Sequence, residues 1–345
     1  MTFQSAQRVA DAVLWEGYVL YPYRASSSKN RFRWQFGVLV PAGYEGEPST
    51  MQTECLVEPG AGTAIDLRLR FLQVQTRTVE EAMADGSFRP AERLQLDDLT
   101  LVSWEEGVEQ HLDAVGMTLT ELLASERVLE LHVVGGREES LVHGADGRLG
   151  ARVVRERWPL SVMVRVSAEH AGRAVRLRAV VENTTPCPPE ACEQRALALR
   201  HSLNGAHTLL AAKRGRFVSL LDPPAWAAAE AAVCANRGTW PVLVGQPGEE
   251  PVVLSSPIVL YDYPEIAPES PGDLFDATEI DEILSLRIMT LTEEEKREAR
   301  ATDERARAVV DRTETLPTEV FERLHGAIRH LGAAVAPPRG DRSRR

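Results

Sequence analysis

The chain is 345 residues long and carries 51 Asp and Glu against 39 Lys and Arg, for a formal net charge of −12. At roughly 100–200 residues per domain this length predicts two domains, and the balance of 43% hydrophobic and 26% charged residues excludes a disordered or fibrous chain. With this acid excess, and without a run of about 18 apolar residues, neither nucleic-acid binding nor insertion of a helix into a membrane is expected.

The acid excess is local. Residues 262–319 hold 17 of the acids and seven of the bases, a charge of −10. Such a segment repels polyanions and suits a basic partner or a cation. Residues 1–8 carry one basic residue, and Asp11 and Glu16 interrupt the apolar stretch behind them, so no secretory segment is read and a cytoplasmic location is expected. The four cysteines, Cys55, Cys187, Cys192 and Cys234, are too few and too scattered for a disulfide framework and are expected as reduced thiols.

Along the chain, Trp34, Phe36, Val38 and Val40 alternate with Gln35, Gly37 and Leu39, and residues 65–71 alternate strictly between apolar and charged. A side-chain period of two predicts half-buried strands at both places. A short helix is expected over 118–125 and strands over 127–134 and 150–156. Residues 160–182 form a hairpin pattern, with apolar rows on either side of His170-Ala171-Gly172-Arg173. Further strands are expected over 196–203 and 216–220, and many short strands at turn-like spacing predict an antiparallel sandwich or curled sheet.

Asp222-Pro223-Pro224 breaks any strand and places a boundary. Beyond it an alanine-rich helix is expected over 225–234, strands over 240–244 and 252–261, and helices over 275–288, from Thr292 onward, and over 318–331. Thr292 with Glu295 has the capping-box pattern, and Glu293/Arg297 and Asp303/Arg307 have i,i+4 spacing. A helix polar nearly all round reads as an exposed arm or a partner-facing element. The predicted fold is therefore α+β. An antiparallel β-rich, sandwich-like domain over 1–222 is followed by an acidic α/β to helical region over 223–335 and a disordered basic tail over 336–345.

Three groups of residues are candidates for chemistry. Asp273, Asp276, Asp281 and Glu282 form a carboxylate-dense stretch, which suits catalysis or a hard cation if the oxygens converge; acids favoured at a helix start are the plainer account. Cys187, Cys192, His201 and His207 are metal-ligating residue types, but their spacing fits neither a helix face nor a tight finger, so they are the weaker metal candidates. Glu16, Tyr18, Tyr21, Tyr23, Arg24, Arg33 and Trp34 have the composition of an aromatic and arginine contact surface, or of ordinary aromatic core. P-loop, Gly-x-Gly-x-x-Gly, His-Glu-x-x-His and Gly-x-Ser-x-Gly patterns do not occur, so an enzyme is the less expected reading and no cofactor is expected.

Residues 16–24 with 33–37, 238–245, and 255–270 continuing to 281–284 resemble an uncharacterised family encoded in operons of actinobacterial-type, high-affinity [NiFe]-hydrogenases. The resemblance spans residues 9–315 and is weakest around Cys187. It implies an accessory or maturation protein whose partners are hydrogenase subunits or maturation factors, with Asp262, Tyr263 and Glu269 joining the candidate binding residues. A metal-handling or enzymatic role for the carboxylates and a structural subunit of the hydrogenase are the alternatives.

Overall fold

The strand read over residues 65–71 is the middle of a far longer one. In the computed structural model, which describes residues 3–245, 252–265, 275 and 281–317, with the backbone alone at 5, 281 and 282, the helix α1 (Gln7–Trp15) precedes β1 (Thr50–Ala82). Then follow β2 (Phe88–Ala91), a small ribbon of β3 (Arg93–Leu96) and β4 (Leu99–Val102), β5 (Trp104–Thr118), α2 (Leu119–Ala124), β6 (Arg127–Val133), β7 (Gly136–His143) and β8 (Leu149–Arg157). The hairpin β9 (Leu160–Ala171) and β10 (Ala174–Asn183) leads through α3 (Pro189–Glu193) and α4 (Arg195–Ala198) to β11 (Asn204–Val218). Last come α5 (Ala228–Ala232), β12 (Trp240–Val244), β13 (Val252–Ser256), α6 (Asp281–Met289), α7 (Glu293–Thr302) and α8 (Glu304–Glu314). The fold is α+β, with an antiparallel β-rich, sandwich-like N-terminal two-thirds and helices towards the C-terminus.

β1 is 33 residues long and needs hydrogen-bond partners along both edges. One edge is taken in turn by β10, β5 and β2, and the other by β11 and then β8. The register shifts between Pro59 and Ala64 and between Arg70 and Leu72, where irregularities let the strand bend as it changes partners. The resulting sheet runs β12-β13-β11-β1-β10-β9-β6, with β7 attached through β8. The expected boundary at Asp222 falls between β11 and α5, and strands from both sides of it share this one sheet.

Alternation sorts the side chains into separate cores. Leu210, Ala212, Leu243 and Val253 face an inner core with Ile65, Leu67, Leu69 and Phe71, capped by Leu119 and Leu122 of α2. Their neighbours Leu209, Ala211, Val242 and Leu254 face the other way, against Ala6, Ala10 and Val13. A further core joins Trp15, Tyr18, Tyr23, Trp34, Leu72, Val74 and Trp104 to Leu284, Ile288, Ala299 and Val309 of the C-terminal helices. The sheet is therefore covered on both faces, and in the charged row of the 65–71 pattern Asp66 and Arg70 are buried while Arg68 is half-buried. Asp66 is held by Lys213 at 2.7 Å, and Arg70 reaches Asp11 of α1 at 2.6 Å and Glu109 at 2.7 Å.

Most pattern readings coincide with elements. The 160–182 hairpin turns on Gly172-Arg173, with Gly172 at φ 59°, and Thr118 and Glu121 cap α2 reciprocally. Others differ. Residues 34–40 form no strand but one bridge between Leu39 and Leu203, because Trp34 and Gly37 take φ near 59° and 55°, outside the pleated range. Residues 196–203 hold α4 and a single 3-10 turn, following the helical propensity of Arg195-Ala196-Leu197-Ala198. Phe275, at φ 58°, cannot open a helix there, and α6 is described from Asp281. The capping box of α7 is present, but α7 is not an exposed arm: Lys296, Glu298, Ala299 and Thr302 are buried. Its charges pair elsewhere than the i,i+4 pattern predicts, Lys296 with Glu293 at 3.0 Å and Glu314 at 2.8 Å. The helix read over 318–331 and the tail over 336–345 lie outside the described residues.

Two glycines separate backbone strain from steric space. A Cβ at Gly37 would lie 2.8 Å from Ala206 N and 2.9 Å from Pro257 Cγ at φ 55°, whereas Gly86, at φ 84°, has nothing within 4 Å. Gly86→Ala is expected to cost about 1 kcal/mol, from the left-handed conformation, and Gly37→Ala about 3 kcal/mol, from strain plus displaced backbone. Urea denaturation of both variants checks this; equal losses would contradict the close approach of the 34–40 loop to β11.

Candidate functional site

The N-terminal aromatic and arginine segment folds inward. Tyr18, Tyr23, Arg33 and Trp34 are all buried. The Arg33 guanidinium lies 3.6 Å from the Trp104 ring centroid and 5.2 Å from that of Trp34, a cation–π stack on aromatic faces. Buried charge needs partners: its Nε donates to Asn30 O at 3.2 Å, its Nη1 to Glu105 O at 3.0 Å and Tyr18 O at 3.2 Å, and its Nη2 lies 3.5 Å from the Glu105 carboxylate.

Next to it the Tyr18 hydroxyl donates to Asp303 Oδ2 at 2.8 Å and accepts from the Gly107 amide at 2.9 Å. Asp303 caps α8 by accepting from the Arg305 amide at 2.8 Å, and the Arg305 guanidinium lies 3.1 Å from the centre of the Trp15 ring. Burial, reinforced by the Asp303 charge, pushes the Tyr18 phenol well above its ordinary pKa. Three more contacts tie the same segment to α7: Arg24 to Glu295 at 3.2 Å, the Ala25 amide to Thr302 Oγ1 at 3.0 Å, and the Ser26 amide to Glu298 Oε1 at 3.1 Å. Glu16 is half-buried, and the following Gly17 amide donates to Phe275 O at 3.0 Å. Tyr21 is also half-buried, its ring 6.1 Å from that of Tyr23.

Asp262 and Tyr263 sit elsewhere, beside β12. The Leu243 amide donates to Asp262 Oδ1 at 2.8 Å, Ser219 donates its hydroxyl to the same carboxylate, and the Tyr263 amide donates to Leu243 O at 2.6 Å. Glu269, Asp273 and Asp276 lie outside the described residues, and Asp281 and Glu282 are described only as the backbone that opens α6.

The residues read as weak metal candidates are scattered among other partners. Cys187 and Cys192 are joined as a disulfide, with Cα atoms 6.0 Å apart, which corrects their reading as reduced thiols; a pair within that Cα range can be bridged. His201 stands edge-on to Trp158 at 6.2 Å. His207 is buried with Nδ1 2.9 Å from Gly205 O, and burial, with Arg70 nearby, lowers its pKa to about 3. Among the described residues no three His, Cys, Asp or Glu side chains converge as a metal set.

A surface that residue counting does not single out is the outer side of α6. Leu284 and Ile288 are fully buried, whereas Ile283, Leu286 and Met289 on the same helix are 41%, 48% and 49% exposed. The signal in the sequence is that the apolar residues Ile283, Leu284, Leu286, Ile288 and Met289 do not fall on one helical stripe, so they need cover on more than one side. Asp303 was likewise legible as an N-cap preceding Glu304, though its partner Tyr18, 285 residues away, was not. The chain matches no family model, and no curated protein sequence matches it.

Tyr18→Phe leaves the Gly107 amide and Asp303 short of a partner and is expected to cost about 1–3 kcal/mol in urea denaturation at neutral pH. Unfolded Tyr18 ionises near its ordinary pKa of 10.0 while the folded phenol stays protonated, so the stability it lends is full below that pH and falls as pH rises beyond it. The variant should lose less stability than the wild type above pH 10.0, and coincident alkaline profiles would contradict the geometry. His207 has the opposite sign. A base whose folded pKa falls from 6.5 to about 3 lends stability above 6.5 that is lost as pH drops through that window. His207→Gln is therefore expected to flatten the loss of stability between pH 6.5 and pH 4 seen by the same denaturation assay.

Proposed function

We propose that the chain is a cytoplasmic accessory protein for assembly or maturation of a [NiFe]-hydrogenase, acting by binding a hydrogenase subunit or maturation factor through the outward side of α6. The resemblance of residues 16–24 with 33–37, 238–245 and 255–284 supplies the partner class. These stretches also touch one another: the Gly17 amide bonds Phe275 O, Gly37 lies against Pro257, and the Leu243 amide bonds Asp262.

The observation that carries the binding role is α6 itself. Ile283, Leu286 and Met289 are large apolar side chains left exposed on a helix whose Leu284 and Ile288 are locked into the core. Interface centres are apolar and poor in charge, with Met favoured, and a polar rim around them supplies orientation. The acidic residues of 262–319, which flank α6 on both sides in sequence, favour a basic partner through long-range attraction, which raises the rate of encounter more than the final affinity.

The test is affinity purification of the tagged chain from cells expressing the hydrogenase. Leu286→Asp with Met289→Asp is expected to lower recovery of the hydrogenase component about tenfold or more, since each apolar side chain is worth about 1.5–3 kcal/mol when buried. The melting temperature should stay unchanged because both residues are exposed, and Val128→Asp, at a site exposed on β6, should recover the partner normally. Recovery of no hydrogenase component by the wild-type chain would overturn the reading. Stoichiometric retention in the mature enzyme would replace it with a structural subunit.

A further inference from the structure

Where the face of β1, β5 and β8 meets the corner between α7 and α8, there is a solvent-open cleft of about 480 Å³. Its lining holds five arginines against three acids, Glu106, Asp303 and the exposed Glu304, although residues 262–319, which supply one wall, are the most acidic part of the chain. The arginines differ in what they are already doing.

Arg77 is committed. Its Nη1 meets Glu106 at 2.9 Å, its Nε donates to Val102 O at 2.9 Å, and its Nη2 donates to Ala301 O at 3.0 Å and Thr302 O at 2.6 Å, closing the end of α7. Glu106 is shared, because Arg155 approaches it at 3.2 Å from the other side. Asp303 is occupied by the Tyr18 hydroxyl and the Arg305 amide. Arg300 is turned outward to Asp311 and Glu314.

Arg305 and Arg307 remain. Both line the cleft, and among the described residues neither has a carboxylate partner. The Arg305 guanidinium lies over the Trp15 ring, 3.1 Å from its centre, and among the described residues the one side-chain hydrogen bond of Arg307 runs from Nε to Arg300 O at 3.2 Å. A guanidinium stacked on an aromatic face keeps its in-plane N–H groups free and gives up little further freedom on binding, which suits bidentate recognition of a carboxylate or phosphate. A cavity of this size is within the range of small-molecule sites, and its polar lining excludes an apolar ligand.

We propose that this cleft binds a small multivalent oxyanion, with Arg305 and Arg307 as its two primary contacts and Arg155 as a third, more weakly available cation. The site is independent of the partner assigned to α6. Because its walls come from the sheet and from the α7–α8 corner, an anion held there bridges the two and stabilises the folded chain by mass action.

The experiment uses the full chain with citrate, pyrophosphate and, at matched ionic strength, potassium chloride, followed by isothermal titration calorimetry and thermal melting. At least one of the two multivalent anions is expected to bind at one site and raise the melting temperature above the chloride control. Preference for citrate identifies a polycarboxylate and preference for pyrophosphate a phosphate ligand, and either result supports the site. Arg307→Gln, which loses one backbone contact and is not expected to disturb the fold, should weaken binding about tenfold, and Arg305→Gln with Arg307→Gln about a hundredfold or more. Arg148→Gln, on an exposed turn, should bind as the wild type does. Failure of both anions to bind beyond chloride, or undiminished binding by Arg307→Gln, would overturn the proposal.

Discussion

A strand of 33 residues must satisfy its backbone on two edges, and that requirement organises everything else in the molecule. No single neighbour is long enough. β10, β5 and β2 succeed one another on one edge while β11 and β8 divide the other, so β1 changes partner at bulges and bends where it does. Bending carries its faces past different layers. Ile65 to Phe71 look into the inner core, and Leu72 and Val74 look out to the aromatic cluster on which the C-terminal helices rest. The position of α6, and with it the exposure of its outer apolar side, follows from how β1 presents that cluster.

Charge is handled by pairing across elements distant in sequence. Arg70 with Asp11 and Glu109, Asp66 with Lys213, and Glu54 with Arg178 at 2.6 Å are all ion pairs in which one member is buried. Such pairs add modestly to stability when intact, but removing one partner leaves an uncompensated charge and costs about 3–5 kcal/mol, so they fix which elements dock together. The same rule moderates the acidic segment. Glu295, Glu298 and Glu314 are matched by Arg24, Arg93 and Lys296, so much of the local excess faces a base rather than open solvent. What remains at the α7–α8 corner is the reverse, guanidinium groups with donors to spare.

Local patterns were legible where one rule acted alone. The 160–182 hairpin, the reciprocal Thr118/Glu121 and Thr292/Glu295 caps and the strands at 127–133 and 149–157 depend on short-range periodicity and on backbone groups satisfied within a few residues. The 34–40 loop and the 195–201 turns were not, because apolar residues there are buried by tertiary contact without a pleat. The length of β1 was hidden for a related reason. The alternation of 65–71 marks only the middle of the strand, and Pro59, Gly60 and Gly62 read as a break although the pairing resumes beyond them.

The aromatic and arginine segment shows the limit for function. Tyr18, Arg33 and Trp34 have the composition of an interface centre and of a core alike, and only the positions of Trp104, Asp303 and Arg305 place them inside. α6 carried the clearer signal, since apolar residues on every side of a short helix cannot all be covered by one neighbouring surface.

The outward side of α6 is proposed as the surface that binds a hydrogenase component. Hydrogen–deuterium exchange of the chain, alone and mixed with purified hydrogenase subunits, tests it most directly. Exchange should slow over 281–289 on mixing, with β6 and β7 unchanged. Exchange unaltered over 281–289, with protection appearing elsewhere or nowhere, would contradict it.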